Sequence, residues 1–164
     1  MEGRLAILKT RALESRDVEA ILAIQATCPE IAQWTAWDYD RVARGEMAGW
    51  VAEKASEVAA GASVEGGVDV AGFLVARRVS SEVEILNFAV ESDSRRCGIG
   101  ATLLGEALKW ARTFEATHAI LEVRASNLAA LRFYMRHKFE VVGRRPRYYT
   151  APVEDALLLT APLT

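Results

Sequence analysis

The chain has little of what a metal centre, a disulfide scaffold or a membrane span requires. Cys28 and Cys97 are its two cysteines, and His118 and His137 its two histidines. Two thiols make no disulfide framework, and the four residues lack ligand-like spacing, so no metal is expected. A basic excess is missing as well: 20 lysines and arginines against 22 acidic residues leave a net charge of -2. That balance argues against a dedicated nucleic-acid binder, which would show a dominant basic face. No segment approaches the roughly 20 apolar residues of a membrane span, and Met1 to Thr10 holds no apolar run of signal-peptide length. A cytoplasmic location without membrane attachment is therefore expected. An apolar share of 51% in 164 residues is enough for a real core in a single domain spanning 1–164. The sequence carries no internal repeat.

The stretch with the most chemistry is Ile85 to Leu104. Glu84-Ile-Leu-Asn-Phe-Ala-Val90 is apolar and β-branched enough for a buried strand, and Glu91-Ser-Asp-Ser94 is a polar turn after it. Arg95-Arg96-Cys97-Gly98-Ile99-Gly100-Ala101 follows, with two glycines removing Cβ atoms where a helix begins. Such a loop lets backbone come close to a ligand. The first-turn N–H groups of a helix have no intrahelical partner and lie at its positive end, so they bind anions, phosphates above all. With two arginines in front of them, the arrangement suggests a pyrophosphate cradle; a Gly-x-Gly also occurs at turns that bind nothing. A Walker loop would end in Gly-Lys-Ser/Thr and a dinucleotide fingerprint would place a third glycine at 103, where this chain has Leu103.

The remaining pattern alternates strands and helices. Leu5 to Ala12 reads as a strand, Ser15-Arg-Asp17 as the N-cap of a helix ended by Pro29, and Thr35 as the cap of a short helix stopped by Gly45. Trp34 and Trp37 read as packing. Strands are expected over Trp50–Lys54 and Val68–Arg78, with Gly72 a bulge or close-approach site. The Ala, Gly and Ser-rich residues 55–67 between them read as a long mobile hairpin connection. A helix from Ile99 to Phe114, a parallel strand at Ala119–Arg124, and a helix from Leu128 to His137 capped by Ser126-Asn127 come next. Two closing strands, Phe139–Arg145 and Asp155–Ala161, flank an expected loop from Pro146 to Val153.

Arg-Arg-x-Gly-x-Gly-Ala after a strand resembles the acyl-CoA pyrophosphate loop of the GNAT acetyltransferase superfamily. The element order β, α, α, β, β, β, loop, α, β, α, β, β is also that of a GNAT domain: an α/β fold with a mixed central sheet of about seven strands and about four helices. From Glu84 to Pro162 the chain looks like the ribosomal-protein-alanine N-acetyltransferase branch. The resemblance rests on Leu121-Glu-Val-Arg-Ala-Ser-Asn127, Ala129-Ala130, Phe133-Tyr134, Arg147-Tyr-Tyr149 and Glu154-Asp-Ala156. It implies acetyl-CoA as cosubstrate and a protein N-terminus as acceptor, that of a small-subunit ribosomal protein beginning with alanine. It further implies that Glu122 acts as general base through water and that Tyr134 protonates the departing thiolate. Phe88, Ala89 and Val90 would bind the pantetheine and acetyl carbonyl through backbone groups. Arg95, Arg96, Cys97, Gly98, Ile99, Gly100 and Ala101 would hold the pyrophosphate, and Asn127 would contact coenzyme A.

Read from pattern alone, Glu122 is also a plain strand-end glutamate, Tyr134 the core of an amphipathic helix, and Asn127 a helix cap. Direct attack of the amine needs no covalent enzyme intermediate, so Cys97 is not a nucleophile. Its place in the loop makes it a candidate for oxidation or alkylation that weakens coenzyme A binding. Two positions depart from the family pattern: Cys97, where relatives carry Gln, Gly or another polar residue, and Lys138, where they usually carry glycine. Acetylation of a small amine or a lysine, and a non-catalytic acyl-CoA-binding module, are the competing readings. The Arg144-Arg-Pro-Arg147 run reads as a solvated loop rather than an RNA contact. Oligomeric state and peptide preference are not written in the sequence.

Overall fold

The structure is a computed structural model that describes residues 7–55 and 68–163. β1 (Ile7–Ala12) leads through a 3-10 turn (Ser15–Asp17) into α1 (Val18–Ala26) and α2 (Ala36–Ala43). β2 (Ala48–Ala55), β3 (Val68–Val79) and β4 (Glu82–Val90) follow, and a second 3-10 turn (Ser92–Ser94) precedes α3 (Ile99–Arg112). β5 (His118–Arg124), α4 (Leu128–Arg136), β6 (Glu140–Thr150) and β7 (Val153–Pro162) complete the chain. The seven strands form one sheet in the order β1-β2-β3-β4-β5-β7-β6. It is mixed: β4 and β5 are parallel, whereas β1 with β2, β5 with β7 and β6 with β7 are antiparallel. Leu5 and Ala6 of the expected first strand, and residues 56–67 of the expected mobile connection, lie outside the described residues.

Local chemistry explains most boundaries. Thr35 caps α2 as expected: its hydroxyl accepts the Asp38 N–H at 3.4 Å, and the Asp38 carboxylate accepts the Thr35 N–H at 2.8 Å. Three helices end in the same way. Gly45 (φ 86), Glu115 (φ 56) and Lys138 (φ 68) each take a left-handed conformation just past a helix end. In each case the following residue's N–H bonds five residues back: Glu46 to Arg41, Ala116 to Ala111, Phe139 to Tyr134. These are Schellman caps, whose left-handed position favours glycine. At Lys138 the Cβ atom works against that conformation, which is the physical reason a glycine is usual there. Lys138→Gly is accordingly expected to stabilise the protein by about 1 kcal/mol, raising Tm by about 2–4 °C. Thermal unfolding followed by circular dichroism checks this, and an unchanged or lower Tm contradicts it.

The chain gathers into two compact units. The first comprises the described residues up to Val75 together with Asn87–Ala107; the second comprises Ala76–Leu86 and the chain from Leu108 onward. In the first, Ile21, Tyr39, Val51, Phe73, Leu103 and Leu104 are buried, and Tyr39 meets Phe73 edge-on at 5.6 Å. Each such side chain contributes about 1.5–3 kcal/mol on burial. Gly72 is the close-approach site anticipated: a Cβ there would lie 3.0 Å from the Ala89 carbonyl oxygen and 3.2 Å from Leu103 Cδ1. In this unit the half-buried Arg11 guanidinium binds the carboxylates of Asp17, at 2.7 Å, and of Glu53. This binding of Asp17, which also accepts the Glu14 N–H, accompanies a 3-10 turn where the sequence pattern leads one to expect the N-cap of α1, and α1 begins at Val18.

In the second unit Ala119, Leu121 and Val123 of β5 are buried with Leu131, Tyr134, Phe139 and Leu159. β4 is the buried strand expected, with no residue exposed: Val83, Ile85, Asn87 and Ala89 are buried while Glu84, Leu86, Phe88 and Val90 are half-buried. One expectation fails. The expected loop from Pro146 to Val153 is largely strand, because β6 continues to Thr150 and the turn is confined to Ala151-Pro152. β6 stands at the edge of the sheet, where proline breaks no ladder on its open side, and the pairing with β7 shifts register between Arg145 and Tyr149.

Candidate functional site

The residues expected to hold coenzyme A lie in the first unit, apart from Asn127. Phe88, Ala89 and Val90 close β4, with Ala89 buried and its two neighbours half-buried. The Phe88 N–H donates to the side-chain oxygen of Asn87 at 3.1 Å. Asn87 in turn donates to the Ala32 carbonyl oxygen at 3.0 Å and to the Tyr39 hydroxyl at 2.9 Å, and that hydroxyl donates to Gln25 Oε1 at 2.5 Å. Burial pushes the Tyr39 phenol well above its usual range, so it stays a neutral donor. Sequence reasoning passes over this buried chain of polar groups, whose one signal is a lone asparagine in an apolar strand.

Arg95, Arg96, Cys97 and Gly98 are exposed, and Ile99 is buried at the head of the 14-residue α3. Arg96 (φ 61) and Gly98 (φ 83) are left-handed with a residue between them. Such alternation is of the kind that gathers successive N–H groups into an anion-binding concavity, continued here by the free N–H groups of a helix start. A Cβ at Gly98 would meet nothing within 4 Å, so the approach is open. The loop therefore fits a diphosphate. Arg95 also ties the loop to the end of β4, since its Nε donates to the Val90 carbonyl oxygen at 3.1 Å and its Nη2 to Cys28 Sγ at 3.3 Å. Behind the loop, Ser94 is fully buried and donates to Glu91 at 2.9 Å, which is also paired with Lys54. Burial would raise the Glu91 carboxyl, but Lys54 and Ser94 outweigh it and hold it below the usual range.

The acid–base candidates lie in the second unit. β5 pairs with β7 at every position from His118 to Arg124, but its parallel register with β4 runs, among the described residues, only from Glu82↔His118 to Glu84↔Ile120. Burial alternates along β5, which places Glu122 with Ile120 and Arg124 on the half-exposed face. Its carboxylate, 23% exposed, forms an ion pair with Arg145 Nε at 2.8 Å, and Tyr148 lies close enough to feel its charge. The negative charge of Glu122 raises the Tyr148 phenol. Beside them Arg124 lies 4.1 Å over the Tyr149 ring and 3.5 Å from Glu154. Nothing in the sequence pattern points to Arg145 and Tyr148 as partners of Glu122. Twenty-three residues and more separate them, and no local pattern carries that pairing.

Tyr134 is 6% exposed on α4, between the rings of Phe133 at 5.3 Å and Phe139 at 5.3 Å. Burial holds its phenol well above the usual range, so it is neutral and carries a proton it can donate. Asn127 caps α4, its side-chain oxygen accepting the Ala130 N–H at 3.2 Å. Cys97 is an exposed free thiol.

The model of the Acetyltransferase (GNAT) family matches residues 18–139. The chain belongs to that family. The match covers β4, the loop at 95–98 and α3 as well as Glu122 and Tyr134. Among curated relatives, this GNAT chain is 33% identical over 97 residues to the ribosomal protein bS18-alanine N-acetyltransferase of Salmonella typhimurium, covering 58% of this chain and 66% of that one. It is 39% identical over 80 residues to the N-alpha-acetyltransferase of Sulfolobus acidocaldarius, covering 48% and 47%. The matched segments thus span less than two thirds of either relative's own length. The crystal structure of the ribosomal-protein-S18-alanine N-acetyltransferase from Escherichia coli superposes with a TM-score of 0.75 at 25% identity, over 95% of this chain and 94% of that one. The seven-stranded sheet and four helices of this GNAT domain are the family's fold.

Proposed function

We propose that the chain is an acetyl-CoA-dependent N-terminal acetyltransferase whose acceptor is the α-amine of a protein, a ribosomal protein beginning with alanine, in the cytoplasm. The observation that carries this reading is Glu122. It sits on the half-exposed face of β5, its carboxylate paired with Arg145, at the position where the family resemblance puts the general base. Similarity to two N-terminal acetyltransferases, one acting on ribosomal protein bS18-alanine, supports the choice of acceptor.

Bound acetyl-CoA supplies an acetyl group as an activated thioester. Arg96 to Ala101 hold its diphosphate with backbone N–H groups, and the backbone of Phe88 to Val90 lines the pantetheine arm. Glu122 takes, through a water molecule, the proton the amine loses as the new C–N bond forms. Tyr134 gives its proton to the sulfur as the C–S bond breaks. Holding both reactants makes the attack effectively unimolecular.

The test is thiol release from acetyl-CoA with a short peptide beginning with alanine. Beside it run the same peptide with a blocked terminus and an internal lysine free, and a panel of small amines. Turnover confined to the free terminus is the expected result. Turnover on the lysine or the small amines instead would replace the acceptor, and acetyl-CoA binding with no turnover on any of them would leave a binding module.

A further inference from the structure

Glu154-Asp155-Ala156 belongs to the sequence block that carries the family resemblance, yet the reaction as described gives Asp155 nothing to do. Its surroundings do. Between Arg145↔Ala156 and Tyr149↔Glu154, the three β6 residues Pro146, Arg147 and Tyr148 stand opposite Asp155 alone. Asp155 Oδ1 accepts the Arg147 N–H at 2.8 Å, and Oδ2 accepts Nε of Arg144. Arg147 is left-handed (φ 53) without being glycine, a conformation that persists only where surrounding bonds impose it. The Asp155 backbone is anchored too, its carbonyl oxygen accepting the Ala125 N–H at 3.0 Å just past the end of β5. Arg145 and Tyr148 flank Pro146 and the left-handed Arg147; Arg145 is the ion-pair partner of Glu122, and Tyr148 lies close enough to feel its charge.

We propose that Asp155 is a positioning residue for acetyl transfer: by shaping the β6 bulge it aims Arg145 and Tyr148 at Glu122 and so fixes the orientation of the proton-accepting carboxylate. This rests on the reading of Glu122 as general base. Arg145 is 54% exposed and Tyr148 50% exposed, so neither is locked by packing. An exposed ion pair by itself contributes little, about 0–1 kcal/mol. Their approach to Glu122 therefore depends on the backbone that presents them, and that backbone is tied to Asp155 through the Arg147 N–H. Loss of the carboxylate lets β6 relax toward regular pairing with β7, which turns Arg145 and Tyr148 away and leaves Glu122 free to swing.

The experiment is a double-mutant cycle on the full chain, read by thiol release with the alanine-initiated peptide. Asp155→Ala is expected to lower kcat about tenfold or more, the usual consequence of a misplaced catalytic group, with the KM for acetyl-CoA unchanged. Asp155→Asn, which keeps an oxygen for the Arg147 N–H, should recover part of the loss, and it carries the cycle if the alanine variant fails to fold. In a Glu122→Gln background Asp155→Ala should cost nothing further, since a positioning effect has no carboxylate left to act on. Wild-type kcat in Asp155→Ala, or losses that multiply in the double variant, would overturn the proposal while leaving Glu122 as base. Wild-type kcat in Glu122→Gln alone would remove the base assignment, and the proposal with it.

Discussion

Glu122→Gln is expected to lower kcat on a peptide with a free N-terminus about a hundredfold or more, the range that a positioned general base contributes. The substitution keeps the shape of the side chain and an oxygen that can still accept from Arg145, so the fold and the KM for acetyl-CoA should not change. An α-amine titrates near roughly 7.7–8.0 and is already about a quarter neutral at pH 7.4, whereas a lysine near roughly 10.4 is neutral about once in a thousand molecules. The glutamine variant, unable to take up a proton, must capture the neutral amine. Its residual rate should therefore climb about tenfold per pH unit and level off near the amine's own pKa. Steady-state thiol release across pH 6 to 9 measures both effects. A glutamine variant within a few-fold of wild type would sink the base assignment.

Arg11→Leu is expected to destabilise the protein by about 3–5 kcal/mol, the cost of stranding buried charge when one partner of a buried pair is removed. Asp17 and Glu53 are each 3% exposed, and Arg11 binds both. Lys9 lies 3.7 Å from Glu53 but is itself 63% exposed, so it replaces little of what is lost. The pH dependence should change sign. In the wild type, burial would raise the Asp17 carboxyl, but the Arg11 hydrogen bonds and the Glu14 N–H outweigh it and hold it below its ordinary value. Its stabilising contribution is thus present above the unfolded pKa near roughly 3.9 and is lost as pH falls through the folded one. Without Arg11, burial is largely unopposed and the folded pKa rises above the unfolded one. The penalty at Asp17 should then shrink as pH falls. Urea unfolding at pH 7 and pH 4.5 reads both: a midpoint unchanged at pH 7 would show that the buried carboxylates do not depend on Arg11.

Short-range signals locate the elements well. Thr35 with Asp38, and Gly45, bound α2 to within a residue, because a capping box and a left-handed glycine act over four or five residues of chain. Ile99 reads as the start of α3 and Asn127 as the cap of α4, and both stand there in the fold. Misreadings arise where tertiary position overrides a local rule. Pro146 reads as a strand breaker, yet β6 lies at the sheet edge and absorbs it in a bulge. Lys138 reads as an unexplained departure from the family's glycine; its φ of 68 in a Schellman cap supplies the reason.

The candidate site divides along the same line. By itself the sequence determined the order of strands and helices, because caps, turns and apolar periodicity act locally; the family resemblance, carried by contiguous stretches, nominated the loop at 95–101 and Glu122, Tyr134 and Asn127. Only the tertiary structure decided what surrounds them. The Arg145 ion pair with Glu122, the aromatic packing that buries Tyr134, and the tether from Arg95 to Val90 and Cys28 join residues brought near by strand pairing, helix packing and loop folding. The energies of such contacts depend on burial and on direction at a few ångströms, and neither quantity is encoded in the distance between two residues along the chain.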